Sequence, residues 1–428
     1  MSGQVNIVLL GLGVVGAGVA RALSERADTY SRRVGAPLAL KRVLVRDPKK
    51  ERAVKLDRAL ITTDAAEALS GDVDIVVEIM GGEQPAYDLI KDSLSRGRYV
   101  VTANKEVMAK HGPELLGLAA DNGVDVLYEA SVGGGIPIIS PLKRDLSANE
   151  ISSVRAIING TTNYILTRMS REGLDFDSAL AQARAEGYAE ADPTNDIEGH
   201  DAAYKLAILA SLAFHTRVGP EDVSREGIGG LAVRDFRYAK ELGYAIKLLA
   251  VARRENSSLQ ARVHPTLMPE DELLAKVDGA LNAVQIEGDL SGRVLFQGAG
   301  AGSQPTTSAV MADVLEAARA ITQGGRPFPW RYTAEIAIKP MDELVTRYYI
   351  RIEVADRPGV LAGIARCFGD QQVSIASVIQ KETDETGQTA ELVIMTHAAR
   401  EDAVQATLVQ VRKLPDVVSV GNLLRVDG

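Results

Sequence analysis

Cysteine is almost missing from this chain. Cys367 is the only one, which excludes an intrachain disulfide and a thiolate metal cluster and fits a reducing compartment. A nucleophilic role for Cys367 would need an acid–base partner that the neighbouring sequence does not provide. No stretch approaches the ~18 apolar residues of a membrane-spanning helix. The opening MSGQVNIVLLGLG has no basic residue ahead of its apolar run, so it reads as a first strand rather than a secretory signal, and a cytoplasmic protein without membrane contact is expected. Positive charge is in deficit: 48 Lys and Arg against 57 Asp and Glu leave a net charge of −9, which argues against general nucleic-acid binding but leaves room for a local basic pocket. The remainder is ordinary for a folded soluble chain, with 46% hydrophobic and 25% charged residues, so real cores are expected. A length of 428 residues corresponds to about three domains.

Organised chemistry begins at once. Val5–Leu10 is apolar without alternation, as in a parallel strand covered on both faces, and it leads into Gly11-Leu12-Gly13-Val14-Val15-Gly16. The G-x-G-x-x-G motif carries weight here because it follows a strand and opens a helical pattern, with Val14, Val15, Val19, Ala20 and Leu23 apolar. Gly11 permits the tight turn, Gly13 lets a pyrophosphate approach, Gly16 lets helix pack on strand, and the free N–H groups at the helix start bind phosphate. A second strand at residues 38–45 ends in Arg46-Asp47-Pro48-Lys49-Lys50. Asp47 suits the ribose hydroxyls of NAD, whereas Arg46, helped by Lys49 or Lys50, suits the 2′-phosphate of NADP; the reading leans to NADP and leaves NAD open. Strands at 72–79, 98–102 and 124–129 alternate with helical stretches at 85–95 and after 105. Ligands of a doubly wound sheet gather at the carboxyl ends of its strands, so Lys105, just past Thr102, is expected where cofactor ring and substrate meet. The plain alternative is a surface lysine at a helix start.

Beyond residue 130 the character changes. Ser131-Val132-Gly133-Gly134-Gly135-Ile136-Pro137 is a glycine-rich connection into a new helix, able to present carbonyl oxygens to a hard cation or to act as a hinge. Residues 151–159 read as a strand running into Gly160-Thr161-Thr162-Asn163, with a helix from Tyr164 and a second helical stretch after Gly173. Then comes GYAEADPTNDIEGHDAAYK at 187–205, which loads Glu190, Asp192, Asp196, Glu198 and Asp201 ahead of Lys205. LAILASLAF follows, apolar on every side and therefore a buried helix. Asp201 and Lys205 lie one turn apart on one face; the ordinary explanation is a surface ion pair worth about 0.3–0.5 kcal/mol. A helix at 233–242 and strands at 244–253, 259–268, 283–287 and 294–297 make an α+β domain on an open sheet, with a homodimer or homotetramer as the expected assembly. GAGAGSQPT at 298–306 is a second glycine-rich turn. The helix it opens, over 305–321, offers another anion site and is expected to return to the first domain and help cover the cofactor. QGGRPFP at 323–329 reads as a linker.

The last part has the order βαββαβ, with strands at 348–355, 373–380, 389–396 and 417–425, helices at 361–371 and 400–414, and a polar TDETGQ loop. This is a split βαβ, ferredoxin-like unit. Nothing in it reads as catalytic. The turn Asp356-Arg357-Pro358-Gly359-Val360-Leu361 at a helix start favours a ligand sensor, with plain dimerisation as the alternative.

GLGVVG at 11–16, TANKE at 102–106, YEASVGGGIP at 128–137, NGTTNYIL at 159–166, the acidic segment, GAGAGSQPT and ADRPGVL at 355–361 span the chain. With these motifs it resembles homoserine dehydrogenase of the longer bacterial type, which carries a C-terminal ACT regulatory domain. The resemblance implies an α/β protein: a Rossmann-type NAD(P)-binding domain at 1–129, completed by the helix near 305–322; a catalytic and dimerisation domain at 130–323; a linker at 324–347; and an ACT domain at 348–428. It implies interconversion of L-homoserine and L-aspartate 4-semialdehyde with NAD(P) in threonine and methionine biosynthesis, and feedback inhibition by threonine. Lys205 becomes the acid or base, Lys105 assists at the nicotinamide end, Glu190 and Asp201 hold the substrate ammonium and hydroxyl, and Asp196 orients them. Gly187 and Gly302 join Gly11, Gly13, Val14, Val15, Gly16, Arg46 and Thr102 as cofactor contacts. A monovalent cation such as Na+ falls to Glu129, Val132, Gly134 and Ile136, mostly through backbone oxygens, and the effector to Asp356, Pro358, Gly359, Val360 and Leu361. One departure concerns the sensor: many ACT modules have Asn near Val373-Ser374-Ile375, and here there is none.

The chemistry suits these residues. Hydride transfer to an aldehyde develops negative charge on its oxygen, which a lysine ammonium can stabilise and then protonate. Two rivals remain: another ACT-bearing amino- or hydroxy-acid dehydrogenase, which would lack the acidic segment ending in Lys205, and a dinucleotide-dependent sensor without catalysis, in which both lysines would be dispensable.

Overall fold

Six short parallel strands organise the N-terminal part: β1 (Val5–Leu10), β2 (Leu38–Leu44), β3 (Ile61–Thr62), β4 (Ile75–Glu78), β5 (Tyr99–Thr102) and β6 (Val126–Leu127). They pair in the order β3-β2-β1-β4-β5-β6, the doubly wound order of a Rossmann-type sheet, with its switch point beside β1. Every residue of β1, β4 and β5 is buried, which is why these strands are continuously apolar instead of alternating. Register aligns Leu10 with Glu78 and Glu78 with Thr102. The glycine loop, Glu78 and the start of the helix at Lys105 therefore share one edge of the sheet. In the computed structural model the described residues are 3–325, 330, 332–384 and 388–427. Residues 326–329 of the expected linker and 385–387 of the TDETGQ loop lie outside the described residues.

The chain packs as two units: residues up to 154 with 204–223 and 282–336, and residues 155–203 with 224–281 and 337 onward. In the first, helix Ser303–Gln323 returns to the nucleotide-type sheet. Gly18 abuts Thr307 so closely that no side chain fits between them, and Thr322 Oγ1 donates to the Val34 carbonyl at 3.0 Å. Strand β3 and the small helices Ala27–Val34 and Ala65–Ala68 were not expected from the apolar pattern. Their stability comes from local ties such as Asp64, whose carboxylate accepts the Ala66 N–H at 2.8 Å as an N-cap.

In the second unit, strands Tyr244–Glu255 and Ser258–Pro269 form a long antiparallel hairpin. Ser258–Pro269 also pairs in parallel with Val417–Val426, through Thr266–Arg425 and Leu267–Val426. From there the sheet continues through Val345–Ala355 and Thr389–Thr396 to Ile375–Asp384. With helices Val360–Asp370 and Glu401–Val411 this is the expected βαββαβ module, cored by Tyr348, Ile350, Ile352, Ile364, Phe368 and Leu408 among others. No helix among the described residues is long and apolar enough to cross a membrane.

Candidate active site

Gly11 has φ +106°, and a Cβ there would lie 2.8 Å from the Ile79 carbonyl oxygen, so only glycine makes this turn. Gly13 is the N-cap of helix Val14–Glu25, Val14 is 72% exposed, Val15 is half-buried and Gly16 is buried. The result is an open loop whose helix N–H groups face outward, a cradle that fits a pyrophosphate. Ser303 at the start of the returning helix donates to the Val14 carbonyl at 3.4 Å, and Gly302, at φ +118°, is that helix's N-cap. The glycine-rich turn that ends at Gly302 thus borders the loop of Gly11 to Gly16. Arg46 is exposed at the end of β2, while Asp47 accepts the Lys49 N–H at 2.8 Å.

Beneath this edge sits a buried polar cluster. Glu78, fully buried, accepts the Thr102 hydroxyl at 2.6 Å and the Met80 N–H at 2.8 Å. Burial pushes its carboxyl above the usual range despite these bonds. Thr102 Oγ1 accepts the Asn104 N–H at 3.0 Å, Asn104 Nδ2 donates to the Gly82 carbonyl at 2.7 Å, and Asn104 Oδ1 caps the next helix through the Val107 N–H at 3.2 Å. This chain of bonds fixes the first turn of helix Lys105–Asp121 and hence Lys105, which is half-buried. Glu78 and Asn104 were not singled out in the sequence. A carboxylate closing the otherwise apolar IVVE strand was the available sign.

Lys205, also half-buried, lies in helix His200–Ala213. That helix packs on the one begun by Lys105: Ala207, Ile208 and Ser211 border the same small gap as Met108, Ala109 and Gly112, and Lys110 Nζ stands 5.9 Å from the ring of Tyr204. Tyr204 precedes Lys205, and Lys110 follows Lys105 by about 7.5 Å of helix. The helix that carries Lys205 therefore packs against the helix that Lys105 begins.

The Glu129 carboxylate accepts N–H groups from Ile138 at 2.5 Å, Ile139 at 2.8 Å and Ser140 at 2.8 Å, so three amides already share its negative charge. Val132, Gly134 and Ile136 are buried, and Gly134, at φ +54°, would place a Cβ 2.5 Å from the Gly300 oxygen. The Gly135 N–H donates to the Ala299 carbonyl at 3.0 Å. A buried turn of backbone carbonyls suits a hard monovalent ion, so the residues fit one. Among the described residues no cluster of three or more His, Cys, Asp or Glu side chains could hold a metal.

In the second unit the acidic segment is organised by a residue that sequence reasoning passed over. Asn159, buried, donates its Nδ2 hydrogens to Asp196 at 2.6 Å and to Asp201 at 3.0 Å. Its Oδ1 accepts the Thr162 N–H at 2.8 Å, so the helix runs over Gly160–Glu172, not from Tyr164 as expected. An N-cap asparagine needs only a following amide, and Asn-Gly-Thr-Thr supplies it. Asp201 is buried, Asp196 half-buried, and Glu190 and Gly187 are exposed. Gly187 has φ +80°, and the loop after it is held by Thr161 Oγ1 donating to the Tyr188 carbonyl at 2.7 Å and by a tilted ring contact of Tyr164 and Tyr188 with centroids 4.7 Å apart.

In the ferredoxin-like module Gly359, at φ +93°, is the N-cap of helix Val360–Asp370. Asp356, Pro358 and Leu361 are exposed and Val360 is buried. The Asp356 N–H donates to the Gln388 carbonyl at 2.8 Å and its Oδ1 accepts from Gln380 at 3.4 Å.

Comparison with known proteins matches residues 137–315 to the homoserine dehydrogenase family model, residues 11–129 to the homoserine dehydrogenase NAD-binding domain and residues 348–416 to the ACT domain. A homoserine dehydrogenase of Mycobacterium tuberculosis is 45% identical over 434 residues, covering 99% of this chain and 98% of that one. The crystal structure of a homoserine dehydrogenase from Thiobacillus denitrificans superposes with a TM-score of 0.91 at 42% identity, covering 99% of this chain and 98% of the other. A hyperthermophilic archaeal homoserine dehydrogenase mutant in complex with NADPH gives a TM-score of 0.62 at 28% identity, covering 73% of this chain and 97% of that chain.

Proposed function

Because the chain belongs to the homoserine dehydrogenase family, oxidoreductases acting on a CH–OH group with NAD(P), we propose the residues and conditions under which it interconverts L-homoserine and L-aspartate 4-semialdehyde. The observation that carries the assignment is the buried Asn159, which ties Asp196 to Asp201 one helical turn before Lys205. Asp201, fixed in this way, suits a polar group of homoserine, with Asp196 as the carboxylate that orients the cluster. Glu190, exposed on the adjoining loop, supplies a further carboxylate for the ammonium. Lys205 takes the hydroxyl proton in oxidation and returns it in reduction, stabilising the charge on oxygen. Lys105, fixed by the Glu78–Thr102–Asn104 chain, assists at the nicotinamide end.

A nicotinamide dinucleotide supplies or accepts the hydride when bound. Gly11, Gly13, Val14, Val15, Gly16, Thr102 and Gly302 form its cradle, with Gly187 adding a contact. Exposed Arg46 and the NADPH complex of the archaeal relative favour NADP. The carbonyls of Glu129, Val132, Gly134 and Ile136 are the proposed holders of a monovalent cation such as Na+, which would brace the turn between the two glycine-rich loops.

We propose threonine as the effector, bound at the turn of Asp356, Pro358, Gly359, Val360 and Leu361. A route for its influence runs through the last strand. Buried Arg425 donates to Glu401 and Glu226 at 2.7 to 2.8 Å. Glu226 begins the loop in which the Ile228 N–H donates to the Ile197 carbonyl at 3.0 Å, one residue from Asp196. Assembly as a homodimer or homotetramer belongs to the same reading. The test is turnover of L-homoserine by purified protein with NADP and with NAD, in sodium or potassium salt, with and without threonine. Homoserine-dependent reduction of NADP that threonine suppresses is expected; no reduction of either cofactor would overturn the reading.

A further inference from the structure

Along the β6 edge of the nucleotide-type sheet, the first unit lines a cavity of about 930 Å³, the size of a small-molecule site. Its location separates it from the cofactor cradle. Tyr99 opens β5, Asp125 precedes β6, and Leu127, Tyr128 and Glu129 continue the lining past the end of β6, so the cavity runs along the edge strand β6, whereas the glycine loop follows β1, with β4 and β5 between them. Helix Ser303–Gln323 starts at the glycine loop, yet its cavity-lining residues Asp313 and Ala320 are about 15 and 26 Å further along it.

The walls state what would be welcome. Tyr99, Tyr128 and Trp330 supply aromatic surface, and Leu127, Ala317 and Ala320 aliphatic surface. Asp125, Asp313 and Glu316 bring carboxyl groups, and burial lifts those of Asp125 and Asp313 above their usual range. The cations in the wall are already engaged: Lys143 Nζ sits 4.5 Å from the Tyr128 ring centroid, and Arg144 pairs with Asp145 at 3.0 Å. His215 stacks on Trp330 at 4.5 Å, and burial favours its neutral form. The indole Nε1 of Trp330 is buried and has no hydrogen-bond partner among the described residues, and such a donor is costly to leave unpaired.

We propose that this cavity is a second ligand site, which takes a small organic cation of the hydroxylated arylalkylamine class. Its ammonium lies between Asp313 and Glu316, which share a helix face three residues apart. Its ring rests against Tyr128 and Trp330, where cation and aromatic groups attract one another, and its oxygen accepts from the Trp330 indole.

Trp330 is the only tryptophan in the chain, so indole fluorescence of the full-length protein reports on the cavity directly. Tyramine is titrated against its neutral counterpart tyrosol and the anion hydroxyphenylpropionate. Tyramine is expected to shift the emission saturably and to bind at least roughly tenfold more tightly than either control. Glu316→Gln is expected to weaken tyramine by roughly tenfold while leaving tyrosol unchanged. Calorimetry on Trp330→Phe should show that heat of binding persists when the signal is gone. Failure of tyramine to give a saturable shift, equal binding of all three probes, or indifference to Glu316→Gln would overturn the proposal.

Discussion

Replacing Asn159 should separate the acidic cluster from the helix it starts. In the wild-type chain one buried side chain makes three kinds of tie: to Asp196 at 2.6 Å, to Asp201 at 3.0 Å and to the Thr162 N–H at 2.8 Å. Asn159→Ala removes a helix N-cap, worth about 1 kcal/mol. It also deprives Asp201, itself only 5% exposed, of a hydrogen bond, which costs about 1–3 kcal/mol in a buried setting. The sum is a loss of about 2–4 kcal/mol in unfolding free energy, read by urea denaturation. Because the carboxylates lose their common anchor, kcat/KM for homoserine should fall about a hundredfold, the scale of a misplacement near 1 Å, while NADP affinity, whose proposed contacts lie mostly in the Gly11–Gly16 loop, should change far less. Asn159→Asp separates the two roles. It keeps the capping oxygen but sets a third carboxyl against Asp196 and Asp201, so its stability should recover only as the pH drops towards the carboxylate range near ~4. An Asn159→Ala protein within about 0.5 kcal/mol of wild type, or one with unchanged kcat/KM, would refute the reasoning.

Three further outcomes follow from other parts of the molecule. Glu78 has a folded pKa above its ordinary 4.5 because of burial; the native state therefore holds the proton more tightly, and the associated stability is full below pH 4.5 and lost as pH rises through the folded value. Glu78→Gln should flatten that decline, seen in unfolding midpoints from acid to neutral pH, and an unchanged slope would count against the assignment. Gly134→Ala forces a side chain into a left-handed turn 2.5 Å from the Gly300 oxygen; a stability loss of about 1–3 kcal/mol is expected, and a neutral effect by calorimetry would show that the turn is looser than described. Glu226→Gln weakens the link to Arg425 while Glu401 remains to pair with it. If threonine acts as proposed, its inhibition should weaken severalfold, with uninhibited kcat within about twofold of wild type, and full retention of inhibition would remove Glu226 from the route.

The nucleotide-type half was legible because its information is local. A strand, three glycines and a helix within the first 25 residues specify the loop, and the carboxyl-end rule then places Lys105 beside it. The βαββαβ module was legible for the same reason, since each of its elements carries its own period. What stayed hidden depends on distance along the chain. Asn159 meets Asp196 and Asp201 across 37 and 42 residues, and Arg425 meets Glu226 across 199; no spacing rule joins such positions. Short polar elements such as Ala27–Val34 escaped because they bury little and so carry a weak apolar pattern. A cation role for Glu129 came only with the family resemblance, and that its carboxylate accepts the amides of Ile138, Ile139 and Ser140 is visible only in the folded turn.

The central claim is that Lys205 moves the proton of the substrate hydroxyl. Its most direct test pairs steady-state oxidation of L-homoserine with NADP binding by calorimetry for Lys205→Ala. Lys205→Ala is expected to lower kcat by about 10²–10⁴ with NADP affinity within about threefold of wild type. Turnover at the wild-type rate would contradict it, as would a loss of activity that merely follows a loss of cofactor binding.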